Sequence, residues 1–144
     1  MDAESVTRLR RVIGRLARLF NASSSSEDLT PTQASVLGLV AHRGPIGLAE
    51  LTELEGLNPT MVSRVVSKLD GDGLVRRRPD PADQRAVLLE ATEAGHLTHE
   101  RILAARTRTV AKILDGLSPD VSESLVEALP ALEALAEGLR STRR

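Results

Sequence analysis

The sequence predicts a mainly α-helical chain that carries one small β-hairpin, an α+β pattern in which helices dominate. Three observations predict it. Apolar residues recur at spacings of three and four through most of the 144 residues. Three of the periodic segments begin at Thr, Asn or Ser followed by Pro, and three stop at Gly, the residues that start and end helices. A single pair of extended runs, on either side of a connector with two prolines, breaks that rhythm.

The elements follow in order. Val6, Leu9, Ile13, Leu16 and Phe20 form one face of a helix over residues 6–20 that stops near Asn21. Residues 22–28, with four consecutive serines, read as a solvated loop. Thr30-Pro31 supplies a cap and a proline at the first helical position, and Val36, Leu37 and Val40 carry that helix to His42. A short helix from Leu48 to Glu55, expected to bury Leu48, Leu51 and Leu54, is closed by Gly56, the residue best suited to a left-handed terminus. Asn58-Pro59 caps the next helix, whose apolar stripe is Val62, Val65, Val66 and Leu69.

Beyond the glycines of Asp70-Gly71-Asp72-Gly73, residues 74–78 and 86–91 read as an antiparallel hairpin, the one β element expected. Its strands place Arg76 and Arg78 on the side opposite Arg77. Thr92-Glu93 opens a long helix to about Asp115, with Leu97, Leu103, Val110, Ile113 and Leu114 as apolar positions and Gly95 as an early weak point. Ser118-Pro119 caps the last helix. Its seam of Val121, Leu125, Leu129, Leu132, Leu135 and Leu139 contains Pro130, which cannot donate to the Val126 carbonyl, so a kink is expected there.

Composition narrows the function. There is no cysteine, which removes thiol nucleophiles, thiolate metal sites and cysteine redox sensing, and the lone aromatic among Phe, Tyr and Trp is Phe20, which removes the stacking platforms of single-strand binders. The opening residues Met1-Asp2-Ala3-Glu4-Ser5 are acidic and polar where a secretory signal needs a basic flank and an apolar stretch, and no run suits a membrane span, so a cytoplasmic location without membrane attachment is expected. A formal net charge of -1 hides an uneven distribution. Residues 1–20 hold five arginines against Asp2 and Glu4, and residues 58–88 hold six basic side chains against four acidic ones. Residues 115–139 hold six carboxylates and no Lys or Arg, so an acidic segment cancels locally basic ones.

A short helix, a glycine turn, a second helix with a polar face left free, and a basic hairpin make a winged helix-turn-helix over residues 30–91, with residues 1–21 and 92–144 as a helical dimerisation region. The second helix packs one side and offers the other to base edges. Its candidate DNA-binding residues are Asn58, Thr60, Met61, Ser63, Arg64, Ser67 and Lys68, where small hydroxyl side chains allow close approach and Arg64 forks to guanine or a phosphate. On the wing the candidates are Arg76, Asp83 and Arg85, with Arg85 at the tip suited to the narrow, negative minor groove. The leucine seam and the first helix offer more apolar face than so short a chain buries alone, which predicts a homodimer.

The run Leu57-Asn58-Pro59-Thr60-Met61-Val62-Ser63-Arg64-Val65-Val66-Ser67-Lys68-Leu69, then Gly73-Leu74-Val75-Arg76-Arg77, then Asp80-Pro81-Ala82-Asp83-Gln84-Arg85, resembles the MarR family of bacterial transcriptional regulators. The similarity extends over nearly the whole chain. It implies a dimer in which the first and last two helices interlock, a repressor on a pseudo-palindromic operator of double-stranded DNA, and Arg85 in the minor groove while Asp83 orients it or the wing backbone. It also implies release by a small, often anionic aromatic ligand bound between the winged part and the dimer helices, for which Arg15, Arg18 and His42 are the candidate partners. One departure is Thr52, where many helix-turn-helix units have alanine, so its hydroxyl must find a backbone carbonyl or the inter-helix angle shifts.

His96, His99 and Glu100 have helical spacing that lets two of them share a metal, yet no third ligand lies within sequence reach, so no metal and no cofactor are expected. No nucleophile elbow, phosphate-cradling loop or paired catalytic carboxylates occur, so the chain is not expected to be an enzyme. The alternative is a winged module used for protein interaction or metal response, its basic wing serving only solubility.

Overall fold

The computed structural model describes residues 1–22 and 29–142, apart from the Arg140 side chain, so most of the expected serine-rich loop, residues 23–28, lies outside the described residues. The elements are α1 (Ala3–Ala22), α2 (Pro31–Arg43), β1 (Ile46–Gly47), α3 (Leu48–Glu55), α4 (Pro59–Gly71), β2 (Val75–Pro79), β3 (Val87–Ala91), α5 (Glu93–Asp115) and α6 (Pro119–Thr142). They form two compact units, Met1–Arg106 and Thr107–Arg144. No helix among the described residues is long and apolar enough to cross a membrane.

The first unit holds the core. Thr30 caps α2 reciprocally with Gln33, so two amides that the helix leaves without partners are satisfied and the helix starts where Pro31 needs no amide bond. From α2 come Ala34, Val36, Leu37 and Val40, which pack with Leu51 of α3, Val62, Val66 and Leu69 of α4, and Val75 and Leu89 of the sheet. Gly56 ends α3 at φ 68°, a left-handed conformation that costs a residue with a Cβ, and its amide donates to the Thr52 carbonyl. The Thr52 hydroxyl donates to the Leu48 carbonyl at 2.7 Å, so the residue that replaces the usual alanine is satisfied within its own helix.

The sheet has three antiparallel strands in the order β1-β3-β2. The hairpin is therefore not the only β structure: Ile46 and Gly47 pair with Leu89 and Leu88. Two residues are too few for any alternation to show, and this strand exists because Ile46 is buried against the hairpin. In α3 only Leu51 is buried, whereas Leu48 and Leu54 are exposed, because a helix of eight residues presents little more than one position to a core. In α5 the buried side chain is Ile102, and Leu97, Leu103 and Ile113 are exposed. Gly95 is no weak point. A Cβ there would overlap the Leu74 carbonyl oxygen, so the glycine is what lets α5 start directly against the β2 entry.

No residue of α1 is buried, and Val6, Val12, Ile13, Leu16, Leu19 and Phe20 are all exposed. In the second unit the Ser122 hydroxyl donates to the Leu114 carbonyl at 3.3 Å across the turn that joins the end of α5 to α6. Helix α6 is continuous through Pro130, and its seam residues Val121, Leu125, Leu129, Leu132, Leu135 and Leu139 are 37 to 61% exposed.

Candidate nucleic-acid interface

Helix α4 is cut lengthwise into two surfaces. Val62, Val66 and Leu69 are fully buried and Val65 half-buried, so the helix cannot rotate without exposing its apolar stripe. The other side carries Thr60, Met61, Arg64, Ser67 and Lys68, all exposed, with Ser63 half-buried at its margin. At its start the Asn58 side-chain oxygen accepts from the Met61 amide at 2.8 Å, which commits that oxygen to the cap. The amides of the first turn beyond this cap carry the partial positive charge of a helix N-terminus, a surface that favours phosphate.

The wing grows from β2 and β3, which pair from Val75 opposite Ala91 to Pro79 opposite Val87. Strand alternation separates its arginines as the sequence implies. Arg76 stands opposite Glu90 in register and meets it at 2.5 Å, and Arg78, on the same side, lies 3.8 Å from the other oxygen of that carboxylate. Arg77 points to the other side, toward α4, where it donates to the Ser67 hydroxyl at 3.1 Å and lies 3.5 Å from Asp70. Lys68 pairs with Asp72 at 3.1 Å, one helical turn on.

The wing tip, residues 80–86, is a self-bonded turn. Asp80 closes it by donating its amide to the Ala86 carbonyl, and its carboxylate accepts from the Ala82 amide at 2.9 Å. The Asp83 carboxylate accepts from the Arg85 amide at 3.0 Å. Asp83 therefore orders the backbone that carries Arg85, and the Arg85 guanidinium makes no hydrogen bond or ion pair among the described residues. The same holds for Arg64. These two exposed cations stand ready for an external anion, one on the helix and one at the wing tip.

Five charged positions paired in the site were not among the sequence candidates: Arg77, Arg78, Asp70, Asp72 and Glu90. The alternation of the hairpin signals Glu90, because an acidic residue in the second strand directly opposite Arg76 forms a cross-strand ion pair. The contact of Arg77 with α4 depends on how helix and hairpin pack, which local spacing does not encode.

Arg15 and Arg18 are exposed on α1 and His42 is exposed in the last turn of α2. No hydrogen bond or ion pair among the described residues brings these three together. Among the described residues no group of three His, Cys, Asp or Glu side chains is placed to hold a metal ion. His96 is exposed, while His99 is half-buried with its imidazole against Gly38 of α2, 3.1 Å from where a Cβ would stand. Burial, and then the nearby Arg106 guanidinium, His96 and His42, hold the His99 imidazole below its ordinary pKa, against the opposing influence of Glu100.

Comparison with known proteins agrees with this geometry. The sequence profile of the MarR family matches residues 29–87, the stretch from the start of the core to the second wing strand. The chain is 29% identical over 135 residues to the uncharacterized HTH-type transcriptional regulator YkoM of Bacillus subtilis, which covers 89% of this chain and 88% of that one. Among solved structures, RV1404 from Mycobacterium tuberculosis superposes with a TM-score of 0.80 at 28% identity over 95% of both chains. A probable transcriptional regulator from Pseudomonas aeruginosa is 32% identical, with a TM-score of 0.61, over 86% of this chain and 92% of its own.

Proposed function

Because this chain belongs to the MarR family of DNA-binding transcriptional regulators, we propose that it acts as a homodimeric repressor on a pseudo-palindromic operator. The observation that carries this reading is the division of α4, one side locked into the core and the other exposed with Thr60, Met61, Arg64, Ser67 and Lys68, next to a wing tied to it through Arg77. In this reading residues 30–91 form the DNA-binding part. Asn58, Thr60, Met61, Ser63, Arg64, Ser67 and Lys68 face a major groove, with Arg64 on base edges, while Arg76, Asp83 and Arg85 serve the flanking minor groove. Asp83 acts through the backbone of Arg85 and not as a contact of its own. A dimer seated in adjacent grooves of two half-sites denies that duplex to other proteins, which is repression by occupancy.

The exposed apolar faces of α1 and α6 support a second copy as the partner, with residues 1–21 and 92–144 as the dimer-forming part. Six apolar side chains of α1, from Val6 to Phe20, and the seam of α6 remain in contact with water in the single chain. Covering them recovers roughly 25 cal/mol for each Å² of apolar area, the main driving force for association. An anionic small molecule that prefers a spacing of the two recognition helices unsuited to the operator would release it, with the exposed Arg15, Arg18 and His42 as its charge partners.

One experiment tests the core of this: selection of bound duplexes from a random pool, alongside sedimentation of the protein used. The expected result is a dimer enriching an inverted repeat whose half-sites lie about 10 to 10.5 base pairs, or a multiple, apart. A monomer, or a pool that stays random, refutes it. Repeating the selection with phenolic acids tests release, and charge-neutral substitution of Arg15, Arg18 and His42 together must weaken that response.

A further inference from the structure

The basic character of the interface is smaller than its sequence suggests. Of the six cations in residues 58–88, four are held by carboxylates: Lys68 by Asp72 at 3.1 Å, Arg77 by Asp70 at 3.5 Å, and both Arg76 and Arg78 by Glu90, at 2.5 and 3.8 Å. Arg64 and Arg85 make no such pair among the described residues. Of the two unmasked cations, Arg64 lies on the outer face of α4, one turn before the masked Lys68, and Arg85 lies at the wing tip.

We infer that Glu90 and Asp72 hold down the sequence-independent attraction of this surface to phosphates, Asp72 offsetting the charge of Lys68 and Glu90 one of the two charges of Arg76 and Arg78, while Arg64 and Arg85 are left unmasked. The inference rests on the DNA-binding reading above and deepens it. Attraction to any duplex is almost wholly electrostatic and grows with each phosphate neutralised, whereas specific binding adds base contacts that are indifferent to such masking. A carboxylate beside an arginine therefore lowers the affinity for every sequence by a similar factor, which is read most directly on a random duplex, where base contacts add nothing. Lys68 and Asp72 form an exposed pair, which contributes little to folding, so stability alone gives no reason to place an acid there. Glu90 is better fitted to this role than Asp72, because its side chain is only 18% exposed and both its oxygens are engaged.

The test is binding of this chain to a random-sequence duplex, followed by fluorescence anisotropy over a salt titration, for the wild type, Glu90→Gln, Asp72→Asn and the double variant. Each substitution removes one negative charge, so Glu90→Gln and Asp72→Asn each steepen the log–log salt slope by about 0.9 per subunit engaged, and the double variant by about 1.8. At the lowest salt both variants bind the random duplex tighter, on the order of several-fold, and a selected operator tighter by a similar factor. Slopes and affinities equal to the wild type overturn the masking role while leaving DNA binding intact. Failure of all four proteins to bind any duplex instead removes the DNA reading on which it rests. Asp72 lies at an exposed helix end, so Asp72→Asn decides the matter even if Glu90→Gln does not fold.

Discussion

The guanidinium of Arg77 lies 3.5 Å from the carboxylate of Asp70, which joins the first wing strand to the last turn of α4. Because Arg77 also donates to Ser67, helix and wing share two polar ties besides their apolar contacts, and the wing is positioned by the helix that it accompanies. Both partners are close to half exposed, so the pair contributes only about 0.2 to 1 kcal/mol to folding. Arg77→Ala and Asp70→Asn should therefore barely move the melting temperature, yet each should speed amide hydrogen exchange along β2 and β3, and the two effects should not add. Unchanged exchange in both variants would show that the apolar contacts alone hold the wing.

Arg85 is presented by a turn ordered through Asp83, with its own side chain unpaired among the described residues. Arg85→Ala should weaken operator binding by about 1 to 3 kcal/mol and reduce the salt slope by about 1 per subunit. Asp83→Ala should lose part of the same affinity without changing charge in that direction, since it acts on the Arg85 backbone. Quantitative gel shifts at several salt concentrations measure both.

The parts of this fold that were legible in the sequence are those settled by local chemistry. Thr30-Pro31 and Asn58-Pro59 mark helix starts because a cap oxygen and a proline act within one turn, and Gly56 marks a stop because its φ is 68°. The same locality explains why the outward face of α4 was readable from its stripe. What escaped was set by tertiary packing. The strand at Ile46 exists only by pairing with Leu89, Ile102 and not Leu97 or Leu103 is the α5 residue that meets the core, and Arg77 finds Asp70 through the packing of hairpin on helix. Asn58 shows the limit within one residue. Its cap role was legible, and that role takes the oxygen a DNA-contact reading would also use.

Arg64 and Lys68 lie one turn apart on the same face and differ in their partners. Lys68 is held by Asp72 at 3.1 Å, while Arg64 is unpaired among the described residues and has the planar fork suited to guanine. Arg64→Ala should flatten the base preference at one operator position, where a mismatch ordinarily costs about 1 to 3 kcal/mol, and Lys68→Ala should cause a smaller loss for all sequences alike. Affinities for a panel of single-base operator variants separate the two. Equal, sequence-independent losses would reverse the assignment.

Gly95 sets two effects against each other. Alanine in a helix is favoured over glycine by about 0.8 to 1 kcal/mol, so a merely weak helical position would be strengthened by Gly95→Ala. Here the added Cβ meets the Leu74 carbonyl oxygen, and Leu37 Cδ1 at 3.4 Å. The Leu74 backbone cannot step aside, because its carbonyl also accepts the Thr92 amide at 3.0 Å and the Thr92 hydroxyl accepts the Gly95 amide at 3.0 Å. Overpacking against backbone costs about 1 to 3 kcal/mol, so the clash should win. Gly95→Ala should lower the urea midpoint, and a raised midpoint would show that α5 has room to shift.

His99 gives the fold a pH dependence whose sign follows from its surroundings. Burial first, then Arg106, His96 and His42, hold its native pKa below the unfolded value of about 6.5. As pH falls through that unfolded value the denatured chain takes up the proton first, so the stabilisation present at neutral and higher pH is progressively lost, and the loss is complete once pH lies below the native pKa. Urea unfolding at pH 7.5 and at several values below about 6.5 should therefore show a midpoint that drops on acidification. His99→Gln, which keeps a polar side chain against Gly38 but cannot protonate, should flatten that drop, whereas His96→Gln, on the exposed side of α5, should leave most of it. If both variants retain the full wild-type slope, the proton is taken up elsewhere and the Gly38 contact has no titrating role.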